Sequence, residues 1–429
     1  MPEDSLLVFI GDDFVGRIDR RGPMLCLSYD GDYSSRRDVS PLSLSLPLEE
    51  GEIEDQRVEG WMSGLLPGNP DVRERWAAKY QAMSASPFDL LSTRIGLDCP
   101  GAVRFCRPEN FDALEERNGS VEWLDDTSFE ELVLGMVRES AQWVRPTGRS
   151  AFSLGGAQAK TALHREGGRW GEAMGSVPTT HILKPSMRDL DDQSVNEHLC
   201  LTVARHCGLP AVRTEVEVVA GHPVLVVRRF DRLDVDGSIR RIHQEDLHQA
   251  CGEPDVPIYQ NERGEGHSLR RLARLIADHS VDRDTDLRVF FDAQVFNWVI
   301  CNTDGHSKNY SLLLAAGRAR LAPLYDIWSM MPYDPHHYRS YSLAMSVLPD
   351  RRILTAESKQ AWEMAASAIG LPESEGVDRA TAIAKAAPEA MQQAADELSP
   401  ELRALPVVQS LISMTAFRRD QCLAGLASS

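Results

Sequence analysis

The chain has 429 residues and a mass of 47.7 kDa, room for two to four domains at roughly 100–200 residues each. Hydrophobic residues make up 42% and charged residues 26%, which supports a sizeable buried core and excludes a wholly disordered chain. Asp and Glu number 64 against 46 Lys and Arg, a formal net charge of −18. That argues against broad adhesion to nucleic acid or an anionic membrane, while leaving room for a local basic patch or a basic partner.

No apolar run approaches the roughly 18 residues of a membrane span. The acidic start, Met1-Pro2-Glu3-Asp4-Ser5, lacks the positive region of a secretory signal. The eight cysteines are scattered and form no Cys-x-x-Cys. They read as reduced thiols of a cytoplasmic protein rather than a disulfide framework or zinc site.

In chain order, residues 6–10 and 14–18 flank Gly11-Asp12-Asp13 and predict a hairpin, with a third strand at 24–29. Residues 61–66 and 72–83 read as helices separated by the breaker run Pro67-Gly68-Asn69-Pro70. The polar stretch 107–118 reads as a connector, and 128–139 as an amphipathic helix capped by Thr127. Strand-like pieces recur at 151–154, 160–164, 181–184, 212–219 and 223–229. A helix at 192–207 interrupts them and stops at Gly208-Leu209-Pro210. From about residue 269 the period is helical: 269–279, 286–301, 357–369 and two or three helices from 379 onward. The layout predicts an α+β chain in three parts: a β-rich unit over 1–110, a small lobe with its connector helix over 111–229, and a helical large lobe over 230–429.

The segment Asn302-Thr303-Asp304-Gly305-His306-Ser307-Lys308-Asn309 follows an apolar helix, and Leu324-Tyr325-Asp326-Ile327 comes soon after. Phosphoryl transfer requires a carboxylate that orients the attacking hydroxyl, and an Asn and an Asp that hold Mg²⁺. Asp304, Asn309 and Asp326 follow that order, although Asp-Gly and Asn are also ordinary turn residues. Upstream, Gly155-Gly156-Ala157-Gln158-Ala159-Lys160 could lay backbone N–H groups against phosphate oxygens, or could be a plain hairpin turn. Lys184 ends a strand and Glu197 lies on the next helix, where a kinase keeps its phosphate-binding ion pair. An exposed strand lysine and a solvated glutamate are the bland alternative. The apolar 224–227 run enters Arg228-Arg229-Phe230-Asp231-Arg232, as a hinge between lobes would. Each signal is modest alone; their order is that of a bilobal kinase.

Taken together, these stretches, with Ser153–Leu163, Ser194–Leu199 and Gln244–Asp246, resemble the HipA-type serine/threonine kinases, the toxins of bacterial toxin–antitoxin pairs. The opening unit resembles that family's N-terminal subdomain. The resemblance implies an α+β, bilobal, protein-kinase-like fold and an ATP- and Mg²⁺-dependent kinase. It implies that Gly155 to Lys160 cover the phosphates and that Lys184 contacts them. The backbone around Arg228, Arg229 and Phe230 would meet the adenine, with Asp231 near the nucleotide. Asp304 would be the catalytic carboxylate, with His306 and Lys308 on the phosphate side. Asn309 and Asp326, beside Tyr325, would be the metal ligands. Ser153 would be an inactivating autophosphorylation site, with Ser150 as the competing acceptor. The implied partners are a HipB-type helix-turn-helix antitoxin, DNA through that antitoxin, and a protein substrate, glutamyl-tRNA synthetase or another aminoacyl-tRNA synthetase. Two positions depart from the family pattern: Ala159 stands where Glu is usual, and Arg228 where the hinge usually begins with Glu. A nucleotide-binding corepressor that acts through assembly is the competing class. A small-molecule or lipid kinase would share the same phosphate apparatus.

Overall fold

In the computed structural model, residues 4–111, 119–139, 152–153, 158–260, 265–336, 341–345 and 358–427 are described. The first sheet contains β1 (Ser5–Ile10), β2 (Asp13–Arg21), β3 (Met24–Tyr29), β4 (Glu52–Glu54) and β5 (Val103–Cys106), ordered β4-β3-β2-β1-β5. Leu6, Val8, Ile18, Leu25 and Leu27 alternate onto one face, the period-two pattern of a half-buried sheet, and Val15 joins their core from a bulge opposite Val8 and Phe9. Helices Gln56–Gly64, Pro70–Tyr80 and Pro87–Leu91 cover that face and close its core.

Two helix starts differ from the sequence expectation. Asp55 accepts a hydrogen bond from the Arg57 N–H, so the first helix begins five residues before Trp61. Asn69 caps the next helix and Pro70 is its first residue. Pro70 therefore opens a helix instead of breaking one, because an N-terminal position needs no N–H.

The second sheet is antiparallel and six-stranded, ordered β10-β11-β9-β7-β8-β6. Its strands are β6 (Gly119–Trp123), β7 (Thr161–Glu166), β8 (Arg169–Gly175), β9 (His181–Pro185), β10 (Thr214–Val219) and β11 (His222–Arg228). β6 lies just beyond the stretch read as a plain connector. Helix Asp126–Glu139 packs on this sheet through Val133 and Met136. Its cap is Asp125, whose carboxylate accepts from the Ser128 N–H at 2.8 Å, and Thr127 lies inside the helix. Helix Gln193–His206 is buried on most of its faces behind β9 and β11.

After β11 come the hairpin β12 (Arg232–Val235) and β13 (Ser238–Arg241), then a three-stranded sheet ordered β14-β15-β16. β14 is His243–Asp246, β15 Ser311–Ala315 and β16 Arg318–Leu321. Helices Leu247–Cys251, Leu269–His279, Arg283–Ile300, Lys359–Ile369, Glu373–Asp396 and Pro406–Ala427 complete this half. The helix Arg283–Ile300 buries 12 of its 18 residues, the mark of a helix at the centre of a core rather than on its surface. One apolar cluster runs from Leu225 and Val227 on β11 through this helix to Leu411. The small sheet and the large lobe therefore share a core, with the polar loop 301–310 at its upper edge.

Candidate active site

β9 carries Lys184 inward, where its backbone pairs with Leu225 of β11 and its side chain is 9% exposed. Its Nζ donates to Glu197 Oε1 at 2.8 Å and to Asp326 Oδ1 at 3.1 Å. Glu197 comes from the buried face of helix Gln193–His206. Asp326 comes from the segment after β16 and has φ +57°, an uncommon backbone state for a non-glycine residue that concentrates at functional sites. Burial alone would discharge Lys184, but Asp326 and Glu197 overcome it and hold the ammonium above its ordinary range. Burial likewise opposes the Asp326 charge, and Lys184 and Lys160 overcome it, leaving that carboxyl below the usual range. At the mouth of β7, burial followed by the Lys184 charge brings the Lys160 ammonium down to about 8.

The loop 302–309 is built from the end of helix Arg283–Ile300. Cys301 leaves the helix in the left-handed conformation, φ +54°. Asn302 then bonds two ways, donating to Asn297 Oδ1 at 2.9 Å and accepting from the Asp304 N–H at 3.1 Å. Asn309 Nδ2 donates to the Asp304 carbonyl at 2.6 Å and pins the far end of the loop. Lys308 is paired with Asp246 at 2.8 Å. The Tyr325 hydroxyl donates to the Lys308 carbonyl at 2.8 Å. Burial pushes the Asp304 carboxyl up; the His306 ring opposes this and the nearby Asp326 charge adds to it. The Tyr259 hydroxyl donates to Asp304 Oδ1. The His306 ring lies edge-on to Tyr259 at 4.9 Å, and its Nδ1 is buried with no hydrogen-bond partner among the described residues.

Other expected residues have different surroundings. Phe230 stacks on Tyr325 at 5.6 Å and 24°. Arg228 is exposed at the end of β11. Gln158 donates to the Pro185 carbonyl at 2.8 Å and to Gln193 Oε1 at 2.9 Å, and Ala159 packs in the core under helix Asp126–Glu139. Gly155, Gly156, Ala157 and Ser150 lie outside the described residues. Ser153 is fully buried, its hydroxyl given to the Leu65 carbonyl and its N–H to the Asp98 carbonyl.

Asp231 is bonded within the protein. Both its oxygens accept from Arg229, at 3.0 and 2.8 Å, and Oδ2 also accepts from the Gly101 N–H at 2.6 Å. Arg229 and Arg232 further pair with Asp98, which also meets Arg241 and Thr179. The Asp231 carboxylate is thus tied into a buried seam between the hinge and residues 98–101. Three residues of the site region were given no role from sequence: Tyr259, Asp246 and Asn302. Asp246 lies in one of the quoted stretches; Tyr259 sits in a polar, aperiodic segment that carries no signal.

The donor set fits a hard divalent cation. Asp326 spends Oδ1 on Lys184 and Asn309 spends only its amide nitrogen. Among the described residues no hydrogen-bond donor reaches Asp326 Oδ2 or Asn309 Oδ1, and both residues line one narrow cleft with Asn302, Gly305, Leu324 and Tyr325. Carboxylate and amide oxygens left in this way are the ligands Mg²⁺ takes.

Residues 6–106 match the HipA N-terminal domain and residues 152–395 the HipA-like C-terminal domain. Y4mE of Sinorhizobium fredii, provisionally named a kinase, is 32% identical over 82% of this chain and 83% of its own. The serine/threonine-protein kinase toxin HipA of Shewanella oneidensis is 25% identical over 92% of this chain and 90% of its own. The structure of a Shewanella oneidensis HipA, HipB and operator DNA complex contains a chain of the same fold. It superposes with a TM-score of 0.78 at 23% identity, covering 98% of this chain and 96% of that one. Two family domains matched in order along a bilobal α+β, kinase-like fold lead to one assignment: the chain belongs to the HipA family.

Proposed function

We propose that the protein is an ATP-dependent serine/threonine protein kinase and the toxin of a type II toxin–antitoxin pair. The observation that carries this reading is Lys184, bonded at once to Glu197 on the small-lobe helix and to Asp326 in the cleft. That pairing is what a phosphotransferase needs to set a cation against the phosphates of ATP. Lys184 and Lys160 would face the phosphates. Phe230 and Tyr325 would offer an aromatic wall on the adenine side. Asn309 and Asp326 would hold Mg²⁺, which when bound offsets the phosphate charge and orients the transferred group. Asp304 would accept the hydrogen bond of the incoming hydroxyl and take its proton as the new O–P bond forms and the bond from the γ-phosphorus to the β,γ-bridging oxygen breaks, releasing ADP. The loop bonds from Asn302 and Asn309 keep that carboxylate's backbone in place.

Partner and target follow at the same level. A HipB-type helix-turn-helix antitoxin is the proposed partner, reaching DNA on the pair's behalf, supported by the Shewanella complex. An aminoacyl-tRNA synthetase, glutamyl-tRNA synthetase first, is the proposed substrate, supported by the family resemblance. All eight cysteines are free thiols, in keeping with a reducing cytoplasm. No helix among the described residues is long and apolar enough to cross a membrane. Autophosphorylation at Ser153 would require its hydroxyl and N–H to leave the Leu65 and Asp98 carbonyls, two acceptors that a dianionic phosphate repels.

The test is Asp304→Asn. Transfer from labelled ATP to lysate proteins and to the chain itself should fall by about 10²-fold or more, while calorimetry shows Mg·ATP binding within a few-fold of wild type. Phosphosite mapping of the wild-type reaction then locates Ser153 and the substrate. Autophosphorylation near the wild-type rate in Asp304→Asn would remove the assignment.

A further inference from the structure

The Asp304 carboxylate has a single hydrogen-bond donor among the described residues, the hydroxyl of Tyr259. The nearest ring nitrogen, His306 Nε2, stands 3.8 Å away, beyond hydrogen-bond reach. Asn302 and Asn309 fix the backbone of residue 304, but neither touches its carboxylate. An aspartate whose backbone is held and whose χ2 is free does not present a defined oxygen to a reacting hydroxyl, since terminal sp³–sp² torsions are broad.

Tyr259 is itself held. The next residue, Gln260, is 5% exposed and donates its N–H to the Ala344 carbonyl at 3.0 Å. Gly266, at φ +106°, lies against these two residues, and a Cβ there would fall 2.7 Å from Gln260 Cα and from the Tyr259 carbonyl. Only glycine lets the two segments approach so closely. The phenol ring then rests edge-on against His306 at 4.9 Å and 83°. Tyr259 remains 45% exposed.

We propose that Tyr259 is a positioning residue for phosphoryl transfer: its hydroxyl holds Asp304 Oδ1 and thereby leaves Oδ2 to the acceptor hydroxyl. The inference rests on the kinase reading above. Two features favour it over a plug. The Asp304 side chain is still 30% exposed with Tyr259 in place, and among the described residues no donor reaches Oδ2. A phenol, with a pKa near 10, is a hydrogen-bond donor at neutral pH, and a bond to a charged acceptor is about twice as strong as one between neutral groups.

The experiment is Tyr259→Phe in the full chain, which keeps the ring and its contact with His306. With labelled ATP and total lysate protein as acceptor, kcat should fall about 10-fold or more while KM for ATP and the calorimetric Kd for Mg·ATP stay within twofold. In thermal unfolding, Tyr259→Phe and Asp304→Ala should be non-additive, because each removes the same bond. An unchanged or raised kcat in Tyr259→Phe overturns the proposal, and so does a loss confined to ATP affinity or strict additivity of the two substitutions. A wild-type chain that transfers no phosphate removes the kinase reading itself, an outcome distinct from transfer that Tyr259→Phe leaves intact.

Discussion

Lys184 carries a charge that two carboxylates share, and they do different work. Glu197 is fully buried and fixes the ammonium from the small-lobe side. Asp326 reaches it with one oxygen and keeps the other. Asp326→Ala should therefore weaken binding of Mg·ATP about 10-fold or more, through loss of an oxygen ligand, and weaken metal-free ATP much less. Calorimetric titration with and without Mg²⁺ checks this; equal losses would confine Asp326 to holding Lys184. At this scale much of the site was legible. The chain order of Lys184, Glu197, Asp304, Asn309 and Asp326 reads as a phosphotransferase, and the fold sets Lys184 against Glu197 and Asp326, and Asn309 against Asp304. Asp231 was not legible. In Arg228-Arg229-Phe230-Asp231-Arg232 the charges alternate in the same way whether the aspartate faces a ligand or its neighbouring arginines. The approach of Asp98 and Gly101, which completes the seam around Asp231, is long-range and leaves no mark in that local pattern.

The elements that hold these residues depend on their ends and their tight approaches. Gly305 shows the second. A Cβ on it would lie 2.4 Å from Asn297 Nδ2. Asn297 cannot give way freely, because that nitrogen donates to the Tyr310 hydroxyl at 2.8 Å and its oxygen accepts from Asn302 at 2.9 Å. Gly305→Ala should displace the loop rather than the helix, cost about 1–3 kcal/mol as overpacking does, and reduce transfer more than ATP binding. Thermal unfolding and the labelled-ATP assay measure both; a variant with wild-type stability would show that the loop yields without cost. Sequence periodicity found the long elements: β3 at 24–29 and the helix 269–279 coincide with their expected ranges. It also found β15, read as a strand over 310–314, and missed β12, β13, β14 and β16, where four residues are too few to show a period. Capping chemistry misled at Thr127 because Asp125, two residues earlier, also caps and engages the Ser128 N–H.

Across the whole molecule, the N-terminal unit docks on the catalytic half through buried polar contacts, and β14 supplies two of them. His243 Nε2 lies 2.9 Å from the Leu42 carbonyl. Glu245, 1% exposed, accepts from the Ser43 hydroxyl and from the Leu44 N–H at 2.8 Å. The same strand ends at Asp246, the partner of Lys308, so this joint lies directly behind the candidate site. Burial pushes the Glu245 carboxyl up to about 8; the bonds from Ser43 and Leu44 oppose the shift, and the neighbouring Asp246 charge adds to it. The unfolded chain releases this proton near the ordinary value of 4.5. Between there and about 8 the folded chain holds a proton the unfolded chain has lost, so raising pH through that window costs stability, by at most about 1.4 kcal/mol per pH unit. His243 works in the opposite sense. Burial lowers its ring to about 4, so its neutral form costs stability as pH falls below the ordinary histidine range. A single stability profile would mix the two, but the difference between Glu245→Gln and wild type isolates the carboxyl, because the histidine is common to both. Glutamine reproduces the protonated form: its oxygen accepts from Leu44 and its amide donates to Ser43. The variant should match wild type near pH 4.5, gain on it steadily as pH rises, and hold a constant advantage above about 8. Tm measured across that range decides the point. A difference that does not vary with pH would mean that Glu245 is ionised in the folded protein, and that the joint behind β14 is held by a buried charge.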